Sequence, residues 1–218
     1  MAYSKTLLST FFIPLILTFL FSTLVASYHQ RISPSSIGFH EEKLTHIRFF
    51  FHDIVTGPKA SMVIVASPLM GKSSSPLPFG SMVVMEDPLT VGPELDSKLV
   101  GKAQGFYISA SQQAKLDLEI VMGMSFVFME GEFNGSTLSV LGRNSIVTTV
   151  REMPIVGGTG VFRFARGFVR ARSLQVDYEK GDALVEYNVY VLHYLTTSSS
   201  SQEDFNDGVQ FMAHPIFR

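Results

Sequence analysis

Apolar residues recur along most of this chain with a period of two, in short runs interrupted by clusters of Gly, Pro, Asn and Ser. Successive side chains of an extended strand point to opposite faces, so this alternation is the pattern of half-buried strands. It predicts strands at 45–54, 61–67, 81–87, 101–109, 116–129, 136–141, 146–153, 161–173 and 183–195. The connections carry turn chemistry. Asn134-Gly135 suits a tight hairpin, Gly157-Gly158-Thr159-Gly160 offers positive-φ freedom, and Lys180-Gly181-Asp182 closes the last pair. Neighbours in sequence are therefore expected to be antiparallel neighbours in space. With no sustained helical period after the N-terminal segment, the expectation is one all-β domain, a sandwich or a barrel. The longer connection at 68–78, rich in Ser and Pro, either shapes a cavity mouth or is a surface loop.

The two ends read differently. Lys5 precedes an apolar run from Leu7 to Val25, and the small residues Ala26 and Ser27 follow, the layout of a cleavable export signal over residues 1–26. Pro14 and the scattered Ser and Thr dilute that run, and no basic cluster follows it, which argues against a retained membrane anchor. Residues 27–43 are polar and irregular, so an exposed arm is expected there, with the folded domain over 44–195 and a disordered tail over 196–218.

Composition narrows the function. Hydrophobic residues make up 46% and charged residues 17%, with 19 Phe and no Trp, enough to build a large core or a lined cavity. A net charge of −2 supplies no field to gather phosphate backbones, so nucleic acid is excluded as the principal partner. The absence of Cys excludes disulfides, thiol nucleophiles and thiolate metal sites. His46 and His52 share a strand face but sit about 20 Å apart along an extended strand, too far for one metal ion. The glycines before Val161 are followed by a strand pattern and no Walker lysine, and there is no Gly-x-Ser-x-Gly elbow. Neither metal nor cofactor is expected.

Three groups of residues could carry chemistry. In the first strand Ile47, Phe49, Phe51 and Asp53 share one face, and His46, Arg48, Phe50 and His52 the other. Asp53 is thus either a carboxyl facing an aromatic interior, with a raised pKa and a proton to exchange, or a strand-end Asp bonded to a turn. In 161–173, Phe162, Phe164, Arg166 and Phe168 fall on one face, placing Arg166 beside aromatics. Arg143 and Arg151 are further candidates to anchor a phenolate or carbonyl oxygen, although a lone strand arginine more often pairs at the surface. Asn134-Gly135-Ser136 is also a complete glycosylation sequon.

Read together, "FFHDIVTG", "FGSMVVMEDPLT", "LVGKAQGFYISAS", "MSFVFMEGEFNGSTLSVLGRN" and "REMPIVGGTGVFRFARG" resemble, in order and spacing, the plant dirigent family, from about Thr45 to Tyr194. That resemblance implies an eight-stranded antiparallel β-barrel of the allene-oxide-cyclase-like kind, export to the apoplast, glycosylation at Asn134, and a homodimer or homotrimer. It implies stereoselective coupling of phenoxy radicals from monolignols such as coniferyl alcohol, with a separate laccase or peroxidase as the oxidant. Asp53 matches the family's cavity aspartate, Arg151 the arginine before the VGGTG segment, Tyr107 lies in QGFY and Arg166 in ARG. Asp53, Arg151 and Arg166 are then the catalytic set, and Phe49, Phe51, Tyr107, Arg143 and Asn144 the substrate-binding set. Gly142-Arg143-Asn144 stands where lignan-forming members have Gly-Ala-Asp, and is similar to the subfamily with pterocarpan synthases and gossypol-directing members. There a quinone methide is the alternative partner and the protein is a cyclase in its own right. A non-catalytic phenolic-binding scaffold of the wall is the third reading.

Overall fold

The computed structural model describes residues 31–68, 77–112, 119–177 and 179–196. The export signal over 1–26, most of the 68–78 loop and the tail beyond 196 lie outside the described residues. Two compact units are formed, Met1–Gly38 and Phe39–Arg218. In the first, a short 3-10 helix spans Pro34–Ile37, started by Ser33, whose side chain accepts a hydrogen bond from the Ser36 amide.

In the second unit all nine strands form: β1 Phe39–Asp53, β2 Met62–Ala66, β3 Met82–Thr90, β4 Leu99–Ser109, β5 Glu119–Phe128, β6 Thr137–Ser145, β7 Val150–Thr159, β8 Arg166–Val176 and β9 Ala183–Thr196. Every pairing is antiparallel, and each strand from β2 to β9 pairs with the next. β9 pairs with β1, and β1 returns to β3 through Phe50↔Thr90 and Phe51↔Leu89. Eight strands therefore close a ring, and β2 lies on the edge of β3 that β1 leaves uncovered. The expected eight-stranded antiparallel architecture is what the chain forms.

Two boundaries differ from the sequence expectation. β1 begins at Phe39, so residues 39–43, read as exposed arm, are strand paired with β9. Phe39 is buried, with its ring 5.4 Å from those of Phe164 and Tyr194. The residues that follow it up to Leu44 face solvent, which leaves no alternation for the sequence to show. β8 begins at Arg166 rather than at 161, because Gly160–Phe162 forms a 3-10 turn and Phe164 takes a left-handed φ of 59°.

The inner face of the ring divides into two ends. Phe49, Phe126 and Tyr187 pack against one another with centroids 4.9, 5.4 and 5.8 Å apart. Each such pair adds about 0.5–1.5 kcal/mol beyond the area it buries. At the end where β5, β7 and β9 finish, Phe128, Phe133 and Phe162 form a plug, with His193 edge-on to Phe162 and hydrogen-bonded to Thr45. At the opposite end, where β1, β4, β6 and β8 finish, the inner face turns polar.

Candidate active site

The polar end is built around two carboxyls. Asp53 closes β1 on the face shared by Phe49 and Phe51, as its period predicts. In β3, Val83, Met85, Asp87 and Leu89 form the inward row, and Asp87 has no solvent exposure. Extending the β1–β3 register two residues past Phe51↔Leu89 sets Asp53 opposite Asp87. Asp53 Oδ1 and Asp87 Oδ2 are both sealed from solvent and have no hydrogen-bond partner among the described residues. The other Asp87 oxygen, Oδ1, accepts a hydrogen bond from Ser61 Oγ.

These surroundings favour the neutral acids. Burial, reinforced by the charge of Asp182, pushes Asp53 up to about 6. Asp182 is held close because its Oδ1 accepts from the amides of Val55, at 2.8 Å, and Thr56. Burial and then the charge of Asp53 push Asp87 up to about 8, against the opposing hydrogen bond from Ser61. Near neutral pH the pair therefore holds one proton, on Asp87, and one negative charge, on Asp53. The buried phenols Tyr107 of β4 and Tyr187 of β9 are raised first by burial, with both acids raising them further, so they remain neutral donors.

Across the ring from the acids lies Arg151, buried at the start of β7. Its register partner Ala171 is in turn paired with Tyr187, and that small residue leaves room between guanidinium and phenol. Arg151 Nε donates to Asn144 Oδ1 at 3.0 Å, and Nη1 to Ser173 Oγ at 2.9 Å and to the Thr148 carbonyl. None of these partners is charged, so burial lowers the Arg151 pKa with only Tyr187 opposing. A buried cation bonded to neutral acceptors is suited to a ligand oxygen that becomes negative during reaction. Asn144 is itself buried and donates from Nδ2 to Met122 Sδ at 3.3 Å. Met85, Met122, Met124 and Met153 complete the inner wall, with side chains that adapt to a ligand's outline.

The structure thus gathers Asp53, Arg151, Phe49, Phe51, Tyr107 and Asn144 at one end of the ring, but not the other two arginines. Arg166, expected beside inward aromatics, is an outer-face residue forked onto Glu42 at 2.5 and 2.9 Å. The 3-10 turn and the left-handed Phe164 reset the alternation, so Phe162 is buried while Phe164 and Arg166 face outward. Arg143 is exposed on β6 and pairs with Glu119. Asn144 faces inward, so its strand neighbour Arg143 must face outward. Asp87, Tyr187, Ser61 and Ser173 were absent from the expected set. The apolar alternation of Val83–Leu89 and of Val185–Val191 marks Asp87 and Tyr187 as inward.

The profile of the Dirigent-like protein family matches residues 44–192. The chain belongs to the dirigent family. Among dirigent relatives, Pterocarpan synthase 1 of Glycyrrhiza echinata is 60% identical over 188 residues, covering 85% of this chain and 98% of that protein. Pterocarpan synthase 1 of Glycine max is 59% identical over 187 residues with the same coverage. Dirigent protein 7 of Arabidopsis thaliana is 44% identical over 168 residues, 77% of this chain and 87% of that one. A solved pterocarpan synthase dirigent protein superposes with a TM-score of 0.69 at 60% identity, over 77% of this chain and all of the other. The matched dirigent segment runs from β1 to β9 and includes every residue of the polar end.

Proposed function

We propose that this dirigent protein is a quinone-methide cyclase of the pterocarpan-synthase type, which closes an ether ring on a phenolic substrate with loss of water and one handedness. The observation that carries the reading is the proton-sharing pair Asp53 and Asp87 opposite an arginine without a carboxylate partner. Coupling of two phenoxy radicals needs an external oxidant and no acid. A dehydrative cyclisation needs an acid, a base and support for a phenolate, and no oxidant. The high identity to two pterocarpan synthases supports the same choice.

The steps balance without any other reagent. Asp87 gives its Oδ2 proton to a benzylic hydroxyl, which leaves as water, while Asp53 takes the proton of a phenol conjugated with that carbon, and a quinone methide results. The oxygen of a second phenol in the same molecule adds to the benzylic carbon and passes its proton to Asp87. The quinone-methide oxygen becomes a phenolate that Arg151 stabilises, and it recovers a proton from Asp53. Handedness follows from holding one face of the flat intermediate toward the nucleophile. A difference of about 1.4 kcal/mol between faces already gives tenfold selectivity.

The test is incubation with a benzylic alcohol carrying a neighbouring phenol, without oxidant, followed by chiral chromatography. An optically enriched ether one water lighter is expected. No turnover there, together with optically active products from monolignols plus laccase, would establish radical coupling instead. Asp53→Asn preserves shape, and it is expected to keep the β-type circular dichroism while losing about 10²–10⁴ in kcat/KM.

Export to the apoplast and self-association belong to the same proposal, and no helix among the described residues is long and apolar enough to cross a membrane. Asn134 is exposed at the end of the 3-10 turn Gly131–Phe133, between β5 and β6. We take it as a glycan acceptor. Asn134→Gln should lower the apparent mass of protein expressed in plant cells to that left by glycosidase treatment.

A further inference from the structure

Ser61, between β1 and β2, is braced to the backbone beside each acid. Its amide donates to the Ile54 carbonyl at 2.8 Å, one residue past Asp53, and its carbonyl accepts from the amide of Glu86 at 2.8 Å, one residue before Asp87. Its hydroxyl accepts from the Ile54 amide at 3.1 Å. The single hydroxyl proton then has two possible acceptors. One is the Ile54 carbonyl, 3.4 Å away and already occupied by the Ser61 amide; the other is Asp87 Oδ1, which is much closer.

We infer that Ser61 is a positioning residue: by donating to Asp87 Oδ1 it confines the acid proton to Oδ2, the oxygen that faces the reacting molecule. This rests on the cyclase reading. A carboxyl oxygen that accepts a hydrogen bond is not the one that carries the proton, and Oδ2, without a partner among the described residues, is left to donate. The groups around Asp87 do not duplicate this role. Asp53 from β1, Tyr107 from β4 and Tyr187 from β9 act on it or are acted on by it through charge, and among the described residues Ser61 is the printed hydrogen-bond donor to its carboxyl. Glu86 and Lys102 pair with each other on the outer surface, where Ser61 also borders an open depression of about 370 Å³ with Lys59 and Leu95. Ser61 thus stands between that surface and the acid.

A hydrogen bond to an oxygen of the ionised carboxyl also favours ionisation, so its loss raises the titration of Asp87. The decisive experiment compares Ser61→Val with Ser61→Thr, an isosteric pair that differs in the hydroxyl, with Ser61→Ala as the smaller deletion. Infrared titration of the protonated-carboxyl band, assigned by its loss in Asp87→Asn, needs no substrate. Ser61→Val and Ser61→Ala are expected to hold that band about one pH unit higher than wild type. They are also expected to lose about tenfold in kcat with KM changed less than about twofold, while Ser61→Thr restores both. A folded Ser61→Val or Ser61→Ala that titrates as wild type overturns the inference, as does Ser61→Thr behaving like the deletions. If wild type fails to cyclise the substrate, the cyclase reading fails separately, and the infrared comparison still decides what Ser61 does to the acid.

Discussion

Asp87→Asn should reduce kcat/KM for cyclisation by about 10²–10⁴ and remove the alkaline limb of the pH profile. Wild-type activity requires Asp53 ionised and Asp87 protonated. It should rise as pH passes about 6 and fall as pH passes about 8, giving a narrow bell. Asparagine can still accept from Ser61 but has no proton to give. A variant that kept a wild-type alkaline limb would show that the acid lies elsewhere.

The same substitution has an opposite effect on stability. Both acids have folded pKa values raised above their ordinary value of 3.8, so the folded state is favoured when they are protonated. That contribution is complete below about pH 4 and is lost as pH rises through about 6 and then 8. Asp87→Asn removes the larger part of this penalty. Its melting temperature should exceed that of wild type at pH 8 and converge with it at pH 4.

The second large effect concerns the far end of the ring. Gly160 has φ 61°, and a Cβ there would lie 2.4 Å from Ser136 Oγ and 3.2 Å from its Cα. Ser136 is buried, and its Oγ accepts from the Val161 amide at 3.1 Å. Gly160→Ala therefore combines a left-handed backbone cost of about 1–2 kcal/mol with overpacking of about 1–3 kcal/mol. It also displaces Phe162 from the plug. A sum of about 2–5 kcal/mol is a large part of a typical total of about 5–15 kcal/mol. The expected reading is a melting temperature lowered by roughly 5–15 °C. An unchanged value would mean that Ser136 and the turn yield without cost.

All nine strands were legible because each carries its own alternation, and Asp53 because an unbroken apolar row leads to it. Asp87 carried the same signal and was hidden by a proline. A strand read as ending at Asp87 leaves it a turn acid, since Pro88 argues against a strand interior. In the ring Pro88 falls between the stretch of β3 paired with β2 and the stretch paired with β1, where its missing N–H breaks no ladder bond on that side. Arg166 was misplaced because a single left-handed residue, Phe164, shifts the phase of everything after it. The glycines before Val161 were legible as special, but not in their role. Gly160 serves close packing against Ser136 as much as the turn. Ser61 had no period or motif to announce it, because its importance lies wholly in what the closed ring brings beside it.

β1 meets β3 through two residue pairs, whereas β4 and β5 share nine. The ring is thus a hoop with one light joint. Fluctuations that would have to unzip a whole ladder elsewhere need to part only Phe50 and Phe51 from Thr90 and Leu89. That joint adjoins the paired acids, so the part of the wall that yields most easily is also the part a flat phenol must pass to reach them, and the aromatic plug stays shut while it does.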